Sequence, residues 1–167
     1  MSIAQSILPE FDHEMANTRR TIERIPDDKL NWQAHPRSNT IGWVATHLAE
    51  LPQWVEGTLA GDSHDVAPGG KPETVEPLKS TQQILAMFDQ NTATARKLIA
   101  STDDERFAQP WTLLENGKQL FTMPRIAVLR SFVLNHSIHH RAILCVYLRL
   151  NDIPVPALYG PSGDEQT

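Results

Sequence analysis

The chain has 167 residues, 40% of them hydrophobic and 21% charged, so it can bury a sizeable core and is expected to form one domain over residues 1–167. Fifteen Lys and Arg against twenty Asp and Glu leave a net charge of −5, which removes the basic field that nucleic-acid binding needs. No apolar stretch reaches the roughly 18 residues that cross a bilayer, the start MSIAQSILPEFDHE lacks a secretory signal, and the single Cys145 excludes an internal disulfide, so a cytoplasmic protein without membrane or nucleic-acid partners is expected.

Helical periodicity dominates from there. The first helix is predicted over about residues 2–25, with Ile7, Phe11, Met15, Thr18, Ile22 and Ile25 on one stripe. Pro9 marks either its first turn or a kink, and Pro26-Asp27-Asp28 ends it. A loop with Pro36 and Ser38-Asn39-Thr40 leads into a second helix over about 40–59. Its inward positions read Val44, His47, Leu51 and Trp54, and Pro52 should bend it, freeing the carbonyl of Leu48. Residues 61–79 are thick with Gly and Pro and have no apolar period; they read as a long crossover, either a binding loop or a plain connection. Ser80 and Gln83 form a capping box for a third helix over about 80–100, with Ile84, Phe88, Thr92, Ala95 and Leu98 facing the core. Asn116-Gly117 between two β-prone runs predicts a two-stranded hairpin at about 111–121, because a type I′ turn needs positive φ at both positions. Pro124 opens the last helix, about 124–150, and Asn151-Asp152 with Pro154 and Pro156 stop it. The fold class is therefore all-α: a four-helix bundle with a long crossover loop and a small β-hairpin before the last helix.

Seven histidines are the compositional oddity. The inward stripe of the last helix reads Ile126, Leu129, Val133, His136, His140, Ile143, Tyr147 and Leu150, in alternating steps of three and four. Two imidazoles at i, i+4 lie one turn apart on one face and can converge on a single ion. His47 sits on the inward stripe of another helix and would make a third nitrogen. A lone seam histidine is most often a core residue, but three on two seams favour a metal. His139 belongs to a neighbouring stripe with Phe132, Asn135 and Val146, so His136/His139 is a second, less direct geometry.

Other metal designs fit worse. Ser137 stands where a zincin helix needs Glu, and Glu10-x-x-His13 is the one di-iron-like motif, with no acidic residue in the last helix to complete a pair. Three neutral imidazoles leave a divalent charge uncompensated and a coordination position open, which points to a reactive site. Nitrogen ligation accepts zinc, nickel, iron or copper and does not decide among them; zinc or nickel is the working expectation, with iron next.

The segments SNTIGWVATHLAEL and NHSIHHRAIL and the ending LRLNDIPVPALYGPSGDE resemble the DinB-like superfamily of metal-binding four-helix bundles, and the resemblance covers nearly the whole chain. It implies a metal held by one histidine of the second helix and two of the last, here His47, His136 and His140, and a homodimer. It also implies kinship with bacillithiol- and mycothiol-dependent transferases and with thiol-dependent maleylpyruvate isomerases.

Three functions compete. The first is a metal-dependent S-transferase using a low-molecular-weight thiol on an electrophilic small-molecule substrate; Arg141, beside the last ligand, would hold a cofactor carboxylate, or else be an interhelical ion-pair or solvent-facing residue. The second is a metal-dependent hydrolase, which needs a base: Glu50, one turn after His47, is the first candidate, with Asp164 and Glu165 behind it if the tail covers the opening. The third is a non-enzymatic metal-binding or interaction protein whose ion locks the bundle. Trp43, Trp54, Trp111 and Phe121 either line a pocket or fill the core.

Overall fold

The structure is a computed structural model that describes residues 1–166. α1 spans Ile3–Ile22 and starts from a full capping box, Ser2 accepting from the Gln5 amide while the Gln5 side chain accepts from the Ser2 amide. Pro9 lies on its exposed side, one turn from the exposed Gln5 whose carbonyl it cannot bond, and does not break it. The predicted stripe is the buried one: Ile7, Phe11, Met15, Thr18, Ile22 and Ile25 are each no more than 4% exposed. Burying each large apolar member contributes about 1.5–3 kcal/mol.

The second helix is broken where Pro52 stands. α2 (Ile41–Glu50) passes through a 3-10 turn, Leu51–Gln53, into α3 (Trp54–Ala60). Asn91, from the helix packed alongside, donates to the Ala49 carbonyl at the break (2.9 Å). Gly42 lets α2 start hard against the preceding loop: its amide donates to the Leu30 carbonyl, and a Cβ there would lie 2.9 Å from that oxygen.

The crossover expected to lack regular structure contains a short strand, β1 (Ser63–Asp65), and a 3-10 turn. α4 (Thr81–Ser101) is capped by Ser80, but the Gln83 side chain reaches the Lys79 amide instead of closing the expected box on Ser80. A short α5 (Asp104–Ala108) precedes β2 (Pro110–Glu115) and β3 (Lys118–Pro124), an antiparallel hairpin turning at Asn116 (φ 49°) and Gly117 (φ 73°). β1 adds in parallel to β2, so the sheet has three strands in the order β1-β2-β3. Asp65 fastens this addition by accepting from the amides of Ala67, Asn116 and Gly117.

The last helix differs most from expectation. α6 (Arg125–Val128) runs into a π segment, Leu129–Asn135, before α7 (His136–Leu150). The extra residue in that wide turn rotates the rest of the helix by about 100°. Below it the fully buried line is Ser137, Arg141, Leu144 and Leu148, while Leu150 from the predicted stripe is 59% exposed. α1 and α2 each pack against α4 and α7, so α1 and α2 sit diagonally, and so do α4 and α7. One connected core fills the bundle; a smaller one under the sheet joins Trp111, Leu113 and Val128 to Trp54, Phe121 and Phe132. No helix among the described residues is long and apolar enough to cross a membrane.

Candidate metal centre

With α1 and α2 at opposite corners of the bundle, α2 packs against the first turns of α7, and there the three seam histidines meet. His140 Nε2 lies 2.9 Å from His136 Nε2, which lies 3.5 Å from His47 Nε2. One ligand atom from each falls within 4.8 Å of the others, and among the described residues this is the one group of three His, Cys, Asp or Glu side chains that could hold an ion. Burial, and for His47 the neighbouring His136 ring, pushes its pKa down to about 4; His140 is pushed to about 4 by burial and then by His47, His136 and His139. His136 is lowered for the same leading reason. At neutral pH the rings are therefore neutral, with in-plane lone pairs to offer.

The rings are oriented in two ways. His136 Nε2 faces both other rings, and the Phe132 carbonyl, one turn back inside the π segment, favours its protonated form against the leading effect of burial. His47 and His140 have no such partner: their Nδ1 atoms are buried and unbonded among the described residues. Packing holds them instead. Trp43 stacks on His47, centroids 4.9 Å apart at 26°, and its indole also flanks His140 at 6.0 Å. The donor set fits a divalent transition metal: three neutral nitrogens, convergent and half-buried.

Beside this cluster opens a cavity of about 750 Å³, a size that suits a small molecule. Its wall includes His47, Glu50, Trp54, His64, Glu73 and Trp111. Glu50, one turn after His47, lies on this cavity, and burial, reinforced by Glu73, holds its carboxyl above the usual range. His64 Nε2 donates to Glu73 Oε2 (2.9 Å), and its ring meets Trp54 edge-on at 5.3 Å. These two crossover residues were invisible in the sequence. The strand that carries His64 is three residues long, too short to show alternation, and its partner lies almost 50 residues downstream; Glu73 stands in the irregular segment that follows.

Several expectations are corrected by placement. Arg141 is not turned toward a ligand: it is 1% exposed, and its guanidinium donates to Glu14 Oε2 (2.5 Å), the Glu14 carbonyl (2.9 Å), Thr18 Oγ1 (3.0 Å) and the Tyr159 hydroxyl. The interhelical ion pair is its role. Asp164 and Glu165 do not cover the opening; they clamp the tail to Arg149 and to Arg20 and Arg24. His139 is exposed and packs edge-on to His140 at 5.0 Å, outside the converging group. Of the four aromatics, Trp43 flanks the histidines, Trp54 and Trp111 line the cavity, and Phe121 stacks on Phe132 in the smaller core.

Comparison with known proteins agrees with this architecture. The family model described as the DinB superfamily matches residues 10–144. A DinB-like protein from Bacillus cereus superposes with a TM-score of 0.71 at 21% identity, covering 95% of this chain and 98% of its own. The DinB-like YjoA of Bacillus subtilis gives 0.67 at 18%, over 90% and 96%. YfiT from Bacillus subtilis, described as a probable metal-dependent hydrolase with an unusual four-helix bundle topology, gives 0.65 at 15%, over 89% and 87%. No curated protein matches the chain.

Proposed function

The chain belongs to the DinB superfamily, and from that premise and the geometry of its histidines we propose that it is a metal-dependent hydrolase acting on a small molecule. The observation that carries this reading is the convergence of three neutral imidazole nitrogens at the edge of a 750 Å³ cavity whose wall also bears a half-buried carboxylate, Glu50. His47, His136 and His140 would hold the ion, which when bound supplies Lewis acidity toward a substrate oxygen. Trp43 keeps the His47 ring from turning. Glu50, with its proton affinity raised by burial, takes a proton from water entering through the cavity and returns it to the leaving group. Trp54, Trp111 and Val66 exclude bulk water from one side of that cavity.

Thiol transfer ranks second. A low-molecular-weight thiol carrying a carboxylate needs a cation nearby, yet Arg141 is engaged with Glu14, and no Lys or Arg lines the cavity among the described residues. A purely structural ion ranks third, since a locking site is closed and this one borders open space. The deciding experiment is elemental mass spectrometry of untagged protein beside His47→Ala and His140→Ala, followed by turnover of chromogenic esters and amides. Near one equivalent of metal, lost in both variants, with Glu50→Gln lowering kcat by about a hundredfold, supports the reading. Retained metal with full turnover in Glu50→Gln would remove Glu50 from it, and no metal after reconstitution with zinc or nickel would remove the reading itself.

A further inference from the structure

The cavity beside His47 carries a charge pattern that hydrolysis alone does not require. Its wall bears three carboxylates, Glu50, Glu56 and Glu73, with no Lys or Arg among the described residues lining it. Elsewhere the acids that are buried or half-buried are matched. Glu10 pairs with Arg130, Asp12 with Arg96, Glu14 with Arg141, and Glu165 with Arg20 and Arg24. Asp65 accepts from three backbone amides. Glu50 is the exception: among the described residues nothing donates to it, and the charge it feels most is that of another carboxylate, Glu73. His64 donates to Glu73 from the same wall, but Glu50 and Glu56 add negative charge that no Lys or Arg lining the cavity offsets, and a cation entering that space relieves the repulsion among the carboxylates.

The neighbouring walls say what kind of cation. Trp54 is half-buried on the cavity with Trp111 behind it, and Val66 and Val75 continue the apolar surface. Phe132 stacks on one face of the Trp54 indole (centroids 6.1 Å apart, 12°) and His64 meets the ring at 5.3 Å, so an organic ammonium finds an aromatic wall beside carboxylates and charge pairing as its main attraction. A bare metal ion fits less well, because these carboxylates do not converge as ligands; among the described residues only the three histidines do.

We propose that this cavity binds a small molecule with an ammonium group on an apolar body, the ammonium between Glu50 and Glu73 against Trp54 and the body extending along Val66 and Val75 toward His47. The site names the substrate class of the proposed hydrolysis, an amine-bearing ester or amide, and it rests on that reading for the claim that the bound molecule reacts. It disfavours anionic substrates, which would face three carboxylates.

Calorimetric titration of 2-phenylethylamine, 2-phenylethanol and 3-phenylpropionate into metal-free and zinc-treated protein tests it. The amine is expected to bind about tenfold more tightly than the alcohol, with the carboxylate weakest. Glu73→Gln should cut amine affinity by about fivefold and leave the alcohol unchanged. Glu50→Gln should do the same, and Glu73, on the exposed crossover, remains the informative variant if Glu50→Gln fails to fold. Equal binding of the three compounds overturns the proposal. So does binding of none of them at millimolar concentration, or an equal loss for all three in Glu73→Gln. Zinc content is read separately on the same samples. Amine selectivity in protein that takes up no zinc would keep this site and remove the proposed reaction; zinc uptake without amine selectivity would do the reverse.

Discussion

His140 and Arg141 are consecutive residues of α7, and the two polar groups they serve differ in how completely they are bonded. Arg141 reaches into a closed network: it holds Glu14 and Thr18 of α1, and the Tyr159 hydroxyl joins the same Glu14 oxygen from the tail at 2.7 Å. Nearly every donor has an acceptor at hand, and the cluster ties three parts of the chain together. His140 reaches toward His47 and His136, where ring nitrogens face one another and two Nδ1 atoms have no partner among the described residues. Arg141 and Glu14 are buried, and the three histidines are half-buried. The saturated one holds the bundle together, and the unsaturated one keeps its lone pairs for a ligand.

The largest expected effect breaks the saturated side. Arg141→Met strands Glu14 in the core and should cost about 3–5 kcal/mol in urea unfolding, while the fraction that still folds takes up metal as before. Loss of metal in proportion to stability would instead mean that the two clusters act as one.

On the other side, His140→Ala should abolish metal uptake yet change the metal-free stability by less than about 1 kcal/mol, since its ring satisfies no protein donor that matters to the fold. Chelation should lower the Tm of wild type and leave that of the variant where it is.

Acid sharpens the contrast. His47 and His140 are held near 4 in the fold against an ordinary 6.5, so below 6.5 the unfolded chain takes up protons that the fold refuses. The stability of metal-free protein is then complete above 6.5 and declines as pH falls toward 4. The double variant His47→Ala/His140→Ala should flatten that slope, which thermal unfolding across this window would detect.

Trp43→Leu removes the packing that orients His47 and should weaken metal affinity by about tenfold, read by competition with a chelating dye. The smallest effect is expected at the tail. Glu165 is held below its ordinary range first by the Ala157 amide, then by Arg24 and Arg20. Glu165→Gln should lower Tm slightly at neutral pH, an advantage of wild type that fades as acid protonates the carboxylate, with metal content untouched.

Much of the bundle was legible in the sequence. The stripe from Ile7 to Ile25 is buried as its spacing requires, Asn116-Gly117 makes the turn it encodes, and His47, His136 and His140 converge. Each of these signals is local: a period, a turn dipeptide, an i, i+4 pair. The π segment at Leu129–Asn135 has no such signal, because the residues of a wide turn are those of an ordinary helix. It is this turn that moves Arg141 onto the buried line and leaves Leu150 in solvent. The destination of Arg141 was equally hidden, since its partner Glu14 lies 127 residues away. Asp164 and Glu165 followed the tail to Arg20 of α1, Arg24 just beyond it and Arg149 of α7 instead of to the opening.

By itself, then, the sequence determined the helical architecture, its bend at Pro52, the hairpin turn at Asn116-Gly117 and the three imidazoles, because periodicity and backbone chemistry act over a few residues. Tertiary structure decided which side of α7 faces the core, which charges are matched and which are not, and that His64 and Glu73 of the crossover stand on the same cavity as Glu50. Those outcomes depend on which distant groups are brought within a few ångströms, and desolvation makes each such meeting either a saturated pair or a group left open to a ligand.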